Sequence, residues 1–168
     1  MIQNIEPKVF NNAFQPKQPT ENARILVFLE EQILCNIENE GVHYPSYNEI
    51  KSSINENYQY IYLFSIDQTE YYLVRGENYD VDLTVEHYRY ERVQKLRACL
   101  PKDLVFAGMT AYHLYMWYRS NVLCGRCGTG LEQDQKERML FCPHCHNSIY
   151  TKICPCIIVA VTNQDRLL

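Results

Sequence analysis

Two pairs of cysteines carry the most specific chemistry in this chain: Cys124-Gly125-Arg126-Cys127-Gly128 and Cys142-Pro143-His144-Cys145. Their spacing, C-x2-C-x14-C-x2-C, is close to that of two knuckles closing on one ion in a structural zinc ribbon. Each knuckle bends the backbone so that two sulfurs converge, and Gly125 and Gly128 are expected to supply the positive φ that turns amide N–H groups toward the thiolates. Cys124, Cys127, Cys142 and Cys145 are therefore the predicted ligands, and the predicted metal is structural Zn²⁺. Four thiolates fill a tetrahedral sphere and leave no position for a water, so the site should build structure and hydrolyse nothing. Iron, or a reduced pair of knuckles without metal, are the other readings of the same donors.

Further donors lie close by. His144 and His146 flank the second knuckle, and Cys154 and Cys156 sit two apart, which on a strand puts both on one face. A second metal or an alternative ligand set is conceivable there. Because four knuckle cysteines already complete one sphere, these four are expected to be ordinary side chains. Cys35 and Cys99 are expected in the core. No catalytic residue is assigned, and no cofactor-binding residue.

The chain that must hold this site has 168 residues, enough for one domain or two small ones, and its 46% apolar content supports a packed core. Four deprotonated cysteines and one Zn²⁺ move the formal charge from −4 to −6, which argues against a general polyanion-binding surface. No run of about 18 apolar residues could span a bilayer, and the start Met1-Ile2-Gln3-Asn4-Ile5-Glu6 lacks a secretory pattern. A cytoplasmic address with reduced thiols, and no membrane partner, is expected.

An α+β fold follows from the patterning. Residues 1–20, with Pro7, Pro16 and Pro19, read as a loosely attached arm or an edge strand. Residues 21–121 read as an N-terminal α+β domain. In it Ile25–Leu29 and Gln32–Cys35 form a hairpin around Glu30-Glu31, and Tyr58–Ile66 and Glu70–Arg75 a second around Asp67-Gln68-Thr69. The region from Asn36 to Tyr58 reads as a connection with one short helix near Tyr47–Ile54. The many tyrosines of the second hairpin are read as sheet packing in preference to a base-stacking platform, since no cation interleaves them before Arg75.

Tyr88–Leu100 reads as a helix broken by Pro101. A second helix opens near Asp103, with Leu104, Ala107, Gly108, Ala111, Tyr115 and Tyr118 as one apolar stripe whose small residues permit close approach of another element. His113 falls beside that stripe and is expected at the surface. Residues 122–152 are the ribbon, with Glu132–Arg138 as a polar hairpin tip. Ile153–Thr162 reads as a buried strand, and residues 153–168 as the first strand of a further domain.

From Leu96 onward the chain resembles the zinc-containing NADH pyrophosphatase (NAD diphosphatase) family of Nudix hydrolases. The resemblance rests on an ordered series: Leu96-Arg97; Ala107, Ala111, Leu114 and Trp117; Cys124 to Gly128; Cys142 to Cys145; and Tyr150-Thr151-Lys152-Ile153-Cys154-Pro155. Thr151 and Lys152 stand where the family usually has Pro-Arg, Cys154 where an Asp is common, and His146 where the second knuckle usually has Gly. The resemblance implies a parent reaction, splitting NAD(H) at its pyrophosphate into nicotinamide mononucleotide and AMP, in some members also from NAD-capped RNA. It further implies a homodimer, and Mg²⁺ or Mn²⁺ held by the Nudix box, G-x5-E-x7-R-E-U-x-E-E-x-G-U with U apolar. No such box occurs in these residues. Leu29-Glu30-Glu31-Gln32-Ile33 lacks the flanking pattern and reads as a turn, so the 168 residues are expected to be inactive by themselves.

The competing reading is a free-standing zinc-ribbon module that binds a protein or RNA. Arg119, Arg126, Lys136, Arg138 and Lys152 would carry it, with Glu132, Asp134 and Glu137 diluting the field.

Overall fold

The computed structural model describes residues 3–76, 79–152, 159–163 and 166–167. In chain order the elements are β1 (Phe10–Asn11), β2 (Arg24–Leu26), β3 (Phe28–Leu29), β4 (Gln32–Glu38), β5 (Gly41–His43), α1 (Tyr47–Ile50), β6 (Gln59–Ile66), β7 (Thr69–Arg75), β8 (Arg89–Arg92), α2 (Lys102–Ser120), β9 (Glu132–Gln133), β10 (Met139–Phe141), β11 (Ser148–Tyr150), β12 (Thr162–Asn163) and β13 (Arg166–Leu167). Short 3-10 turns cover Lys51–Ser53 and Val93–Ala98. The fold is α+β, with several mainly antiparallel sheets and one long helix.

Three two-residue turns organise the N-terminal sheets. Glu30-Glu31 joins β3 to β4, Asn39-Glu40 joins β4 to β5, and Asp67-Gln68 joins β6 to β7. Glu30, Asn39, Glu40 and Asp67 all take positive φ, as the tight turns that match strand twist require. One sheet runs β1-β6-β7-β2, with β2 parallel to β7; the other is centred on β4, which pairs with β3, β5 and β8. In the first sheet Tyr62, Tyr71 and Tyr72 are buried, which agrees with tyrosines used for packing.

Two expectations need correction. Asn36–Tyr58 is not merely a connection, because β4 continues to Glu38 and returns as β5. The Asn39-Glu40 turn hid this, since Glu occupies the second turn position where Gly would have signalled a hairpin. Nor is Tyr88–Leu100 one helix. Arg89–Arg92 is a strand that covers the open edge of β4, and only Val93–Ala98 winds, as a 3-10 turn that buries Val93 and Leu96. The edge of β4 offers unpaired N–H and C=O groups, and pairing them outweighs the helical spacing of a short segment. The Tyr90 hydroxyl anchors β8 by donating to the Val81 carbonyl at 2.5 Å and accepting from the Leu83 N–H at 3.1 Å.

Within the first twenty residues, read as a loose arm or an edge strand, β1 pairs as an edge strand on β6, and Phe10 sits edge-on to Phe64 and Phe106. Lys8 closes that corner with an ion pair to Asp103 at 2.6 Å.

The short α1 is set by its cap. Ser46 accepts from the Glu49 N–H while the Glu49 carboxylate accepts from the Ser46 N–H at 2.8 Å, a reciprocal capping box. Partial burial would push the Glu49 carboxyl up, but hydrogen bonds from Ser46 and Tyr88 outweigh this and hold it below its usual 4.5. A depressed folded value means that the contribution is present above the unfolded value and lost as pH falls through the folded one. Ser46→Ala should lower stability by about 1 kcal/mol at neutral pH, read by urea denaturation, with a smaller penalty in acid.

Helix α2 packs its buried face, Val105, Ala107, Gly108, Ala111, Tyr115 and Tyr118, on the main core. Leu104 is only partly buried, and Val105 takes its predicted place in the stripe; His113 is exposed, as expected. Cys35 and Cys99 are buried, and burial pushes the Cys35 thiol up to about 12, so it behaves as a small apolar core group.

Candidate metal centre

The helix ends at Ser120, four residues before the first ligand. Cys124 and Cys142 then start two turns of the same construction. In the first, the Gly128 N–H donates to the Cys124 carbonyl at 2.8 Å and the Cys124 N–H to the Thr129 carbonyl at 2.8 Å. In the second, the His146 N–H donates to the Cys142 carbonyl at 3.0 Å and the Cys142 N–H to the Asn147 carbonyl at 2.9 Å.

The residue closing each turn has positive φ, 74° at Gly128 and 58° at His146. Gly125 does not, so of the two predicted glycines only Gly128 plays the expected part. His146 carries a side chain where the geometry favours glycine, at a cost of about 1–2 kcal/mol for an L-residue in this region. His146→Gly is therefore expected to stabilise the zinc-loaded protein by about 1 kcal/mol after the added unfolded-state entropy of glycine, seen as a higher urea midpoint with an unchanged slope.

The two turns bring the Sγ atoms of Cys124, Cys127, Cys142 and Cys145 all within 4.8 Å of one another. Cys124 and Cys145 are 3.6 Å apart, and Cys127 and Cys142 are 3.4 Å apart. A tetrahedron with metal–sulfur bonds of about 2.3 Å has edges of about 3.8 Å, so these separations nearly fit one ion. The donor set fits Zn²⁺: four soft sulfurs close enough to share one ion, with no fifth His, Cys, Asp or Glu in the cluster among the described residues.

Local electrostatics agree with that fit. Cys127 is drawn down to about 5, first by the Thr129 side chain, whose Oγ1 lies 3.4 Å from its sulfur, and then by the Thr129 N–H. Cys124 is drawn down chiefly by the Arg126 N–H. The Asn147 N–H pulls Cys145 the same way, but burial and the three surrounding sulfurs push it up to about 12. Thiolates crowded like this repel, and a divalent cation among them reverses the sign of every such interaction.

The ribbon sheet completes the platform. Its order is β11-β10-β9, and Leu140 of β10 lies opposite Gln133 and Ile149. Leu140 is 1% exposed and belongs to the same core cluster as α2, β6 and β7, with Leu131, Ile149 and Trp117 packed against it. Glu132–Gln133 is strand and not tip; the tip is built on Asp134, whose carboxylate accepts from the Lys136 and Glu137 N–H groups at 2.7 and 2.8 Å. Arg138 reaches back across the seam, donating to the Leu63 carbonyl and to Asn12.

His144 and His146 are exposed and outside the four-sulfur cluster. Cys154 and Cys156, with the strand expected over Ile153–Thr162, fall largely outside the described residues; Thr162–Asn163 pairs with Arg166–Leu167. Of the five cations on which the competing reading, a module binding a protein or RNA, would rest, Arg138 is committed to the seam and Arg119 to Asp80 at 3.1 Å.

These residues have known counterparts. Residues 119–150 match the NADH pyrophosphatase zinc ribbon domain. The chain is 32% identical over 88 residues to the NAD-capped RNA hydrolases NudC of Salmonella typhi, Salmonella paratyphi B and Salmonella newport. That alignment takes in 51% of this chain and 34% of each relative, so the matched region spans about a third of their length. The sequence resemblance to NADH pyrophosphatases thus coincides with the segment in which four cysteines are positioned for zinc. No described helix is long and apolar enough to cross a membrane.

Proposed function

We propose that this chain is the N-terminal and zinc-ribbon part of an NAD(H) pyrophosphatase-like Nudix hydrolase. The observation that carries the reading is the four-sulfur cluster, folded within the one stretch that matches the NADH pyrophosphatase ribbon. With all four positions of the ion taken by sulfur, the zinc is structural. It holds β9, β10 and β11 on the main core through Leu140, and so fixes the direction in which the chain leaves the ribbon.

In this reading the reaction is hydrolysis of the pyrophosphate of NAD(H), or of an NAD cap on RNA, to give nicotinamide mononucleotide. The glutamates of a Nudix box with Mg²⁺ or Mn²⁺ do the chemistry. The working protein is a cytoplasmic homodimer, which sedimentation equilibrium tests. The alternative, a stand-alone ribbon binding RNA or a protein, loses support because Arg119 and Arg138 are engaged internally.

Two measurements test the main reading. The coding region downstream of Leu168 should contain a Nudix box; a stop codon there overturns the proposal. The 168 residues, zinc-loaded and supplied with Mg²⁺ or Mn²⁺, should leave NADH intact, and turnover would show that catalysis resides in residues given no such role.

A further inference from the structure

A second site lies away from the zinc, between the Val93–Ala98 turn and α2. It is an open cleft of about 760 Å³ lined by the apolar side chains of Cys99, Leu100, Val105 and Met109. Arg97 and Lys102, both exposed, line it as well, with Glu40 and His113. We propose that this cleft binds a small organic anion with an apolar body, such as an aromatic or acyl sulfonate or carboxylate.

Three observations support this occupant. Leu100 is 51% exposed, although its backbone is fixed on both sides: its N–H donates to the Glu40 carbonyl at 2.7 Å and its carbonyl accepts from the Val42 N–H at 2.8 Å. The apolar side chain is thus presented outward by a rigid frame and pays little to bind. Among the described residues neither Arg97 nor Lys102 has an ion-pair partner, in a chain of formal charge −4. Their positive charge complements an anionic head, and the single carboxylate of Glu40 directs that head toward the two cations. The volume lies in the range of about 300–1,000 Å³ usual for small-ligand clefts, and Met109 supplies an adaptable wall.

The test uses the zinc-loaded full chain, ¹⁵N-labelled and titrated with 8-anilinonaphthalene-1-sulfonate and, separately, with the uncharged N-phenyl-1-naphthylamine. The sulfonate should saturate, shift the amides of Arg97, Cys99, Met109 and His113, and bind about tenfold tighter than the neutral compound at low salt, a difference that high salt erases. Arg97→Glu with Lys102→Glu should remove that difference, while Leu100→Ser should weaken both compounds. These side chains are exposed, so unchanged amide shifts elsewhere certify the fold. Equal affinity for the two compounds, or shifts mapping elsewhere, overturns the proposal. So does a probe-free, concentration-dependent shift of the same amides, which would make the occupant a second copy. A glutamate-rich amphipathic peptide that shifts them where neither dye does would make it an acidic segment. The cleft uses neither the ribbon nor NAD(H), so its failure leaves the functional reading untouched.

Discussion

Stripping zinc from this protein, or replacing Cys142 by alanine, is expected to unfold residues 122–150 while the N-terminal sheets and most of α2 persist. The ribbon strands are two, three and three residues long, and the one fully buried apolar side chain among them is Leu140. Burying that leucine contributes about 2–3 kcal/mol, whereas structural zinc in small domains contributes about 10–16 kcal/mol. The metal therefore decides whether the ribbon exists. The N-terminal cluster, which includes Ile25, Val27, Tyr62 and Tyr72, contains no ribbon residue and should survive. The main core loses Leu140 when the ribbon unfolds, so the remaining domain should melt lower. Elemental analysis should find one zinc per chain before chelation, and hydrogen exchange should show protection lost from Cys124 to Tyr150 alone. Protection of those amides in the chelated protein would contradict the claim.

Protons compete with zinc for all four sulfurs, so metal retention, and with it the folded ribbon, should fail on the acid side.

The parts of the structure that could be read from residues alone were those where spacing dictates geometry. Two Cys-x-x-Cys knuckles admit few arrangements, and the Tyr58–Arg75 hairpin combines aromatic and β-branched runs with a polar pair between them; of the first predicted hairpin only Phe28–Leu29 turns back onto Gln32–Ile33, while Arg24–Leu26 leaves it to run parallel to β7 in the other sheet. What could not be read depended on partners distant in sequence. Arg89–Arg92 is a strand only because β4 has an edge to fill, and no local property of Tyr88–Leu100 announces that edge. His146 in a left-handed conformation could have been anticipated from its alignment with Gly128, since the two knuckles repeat one hydrogen-bonded turn. Gly125 shows the reverse, a glycine whose conformational freedom the turn does not use.

Gly108→Ala should destabilise the protein by about 1–2 kcal/mol, opposite in sign to the usual effect of adding one methyl group to a helix. In isolation the change would favour α2 by about 1 kcal/mol. A Cβ at this position would lie 2.1 Å from the Tyr44 hydroxyl oxygen and 2.8 Å from a Leu96 methyl. Leu96 can rotate. Tyr44 is 1% exposed, and its hydroxyl donates to the Leu104 carbonyl at 3.0 Å, so displacing it breaks a buried hydrogen bond, at about 1–3 kcal/mol, or forces α2 off the core, at a similar cost. Tyr44→Phe removes the clashing oxygen and leaves ring carbon Cζ at 3.0 Å, within reach of a small shift. The double variant should therefore be about 1–2 kcal/mol more stable than the sum of the single changes predicts. Strict additivity in urea denaturation would show that Gly108 is not where the helix and the Tyr44 ring meet. The expected coupling would identify that contact as the reason for a glycine in the middle of α2, the helix that carries the zinc ribbon.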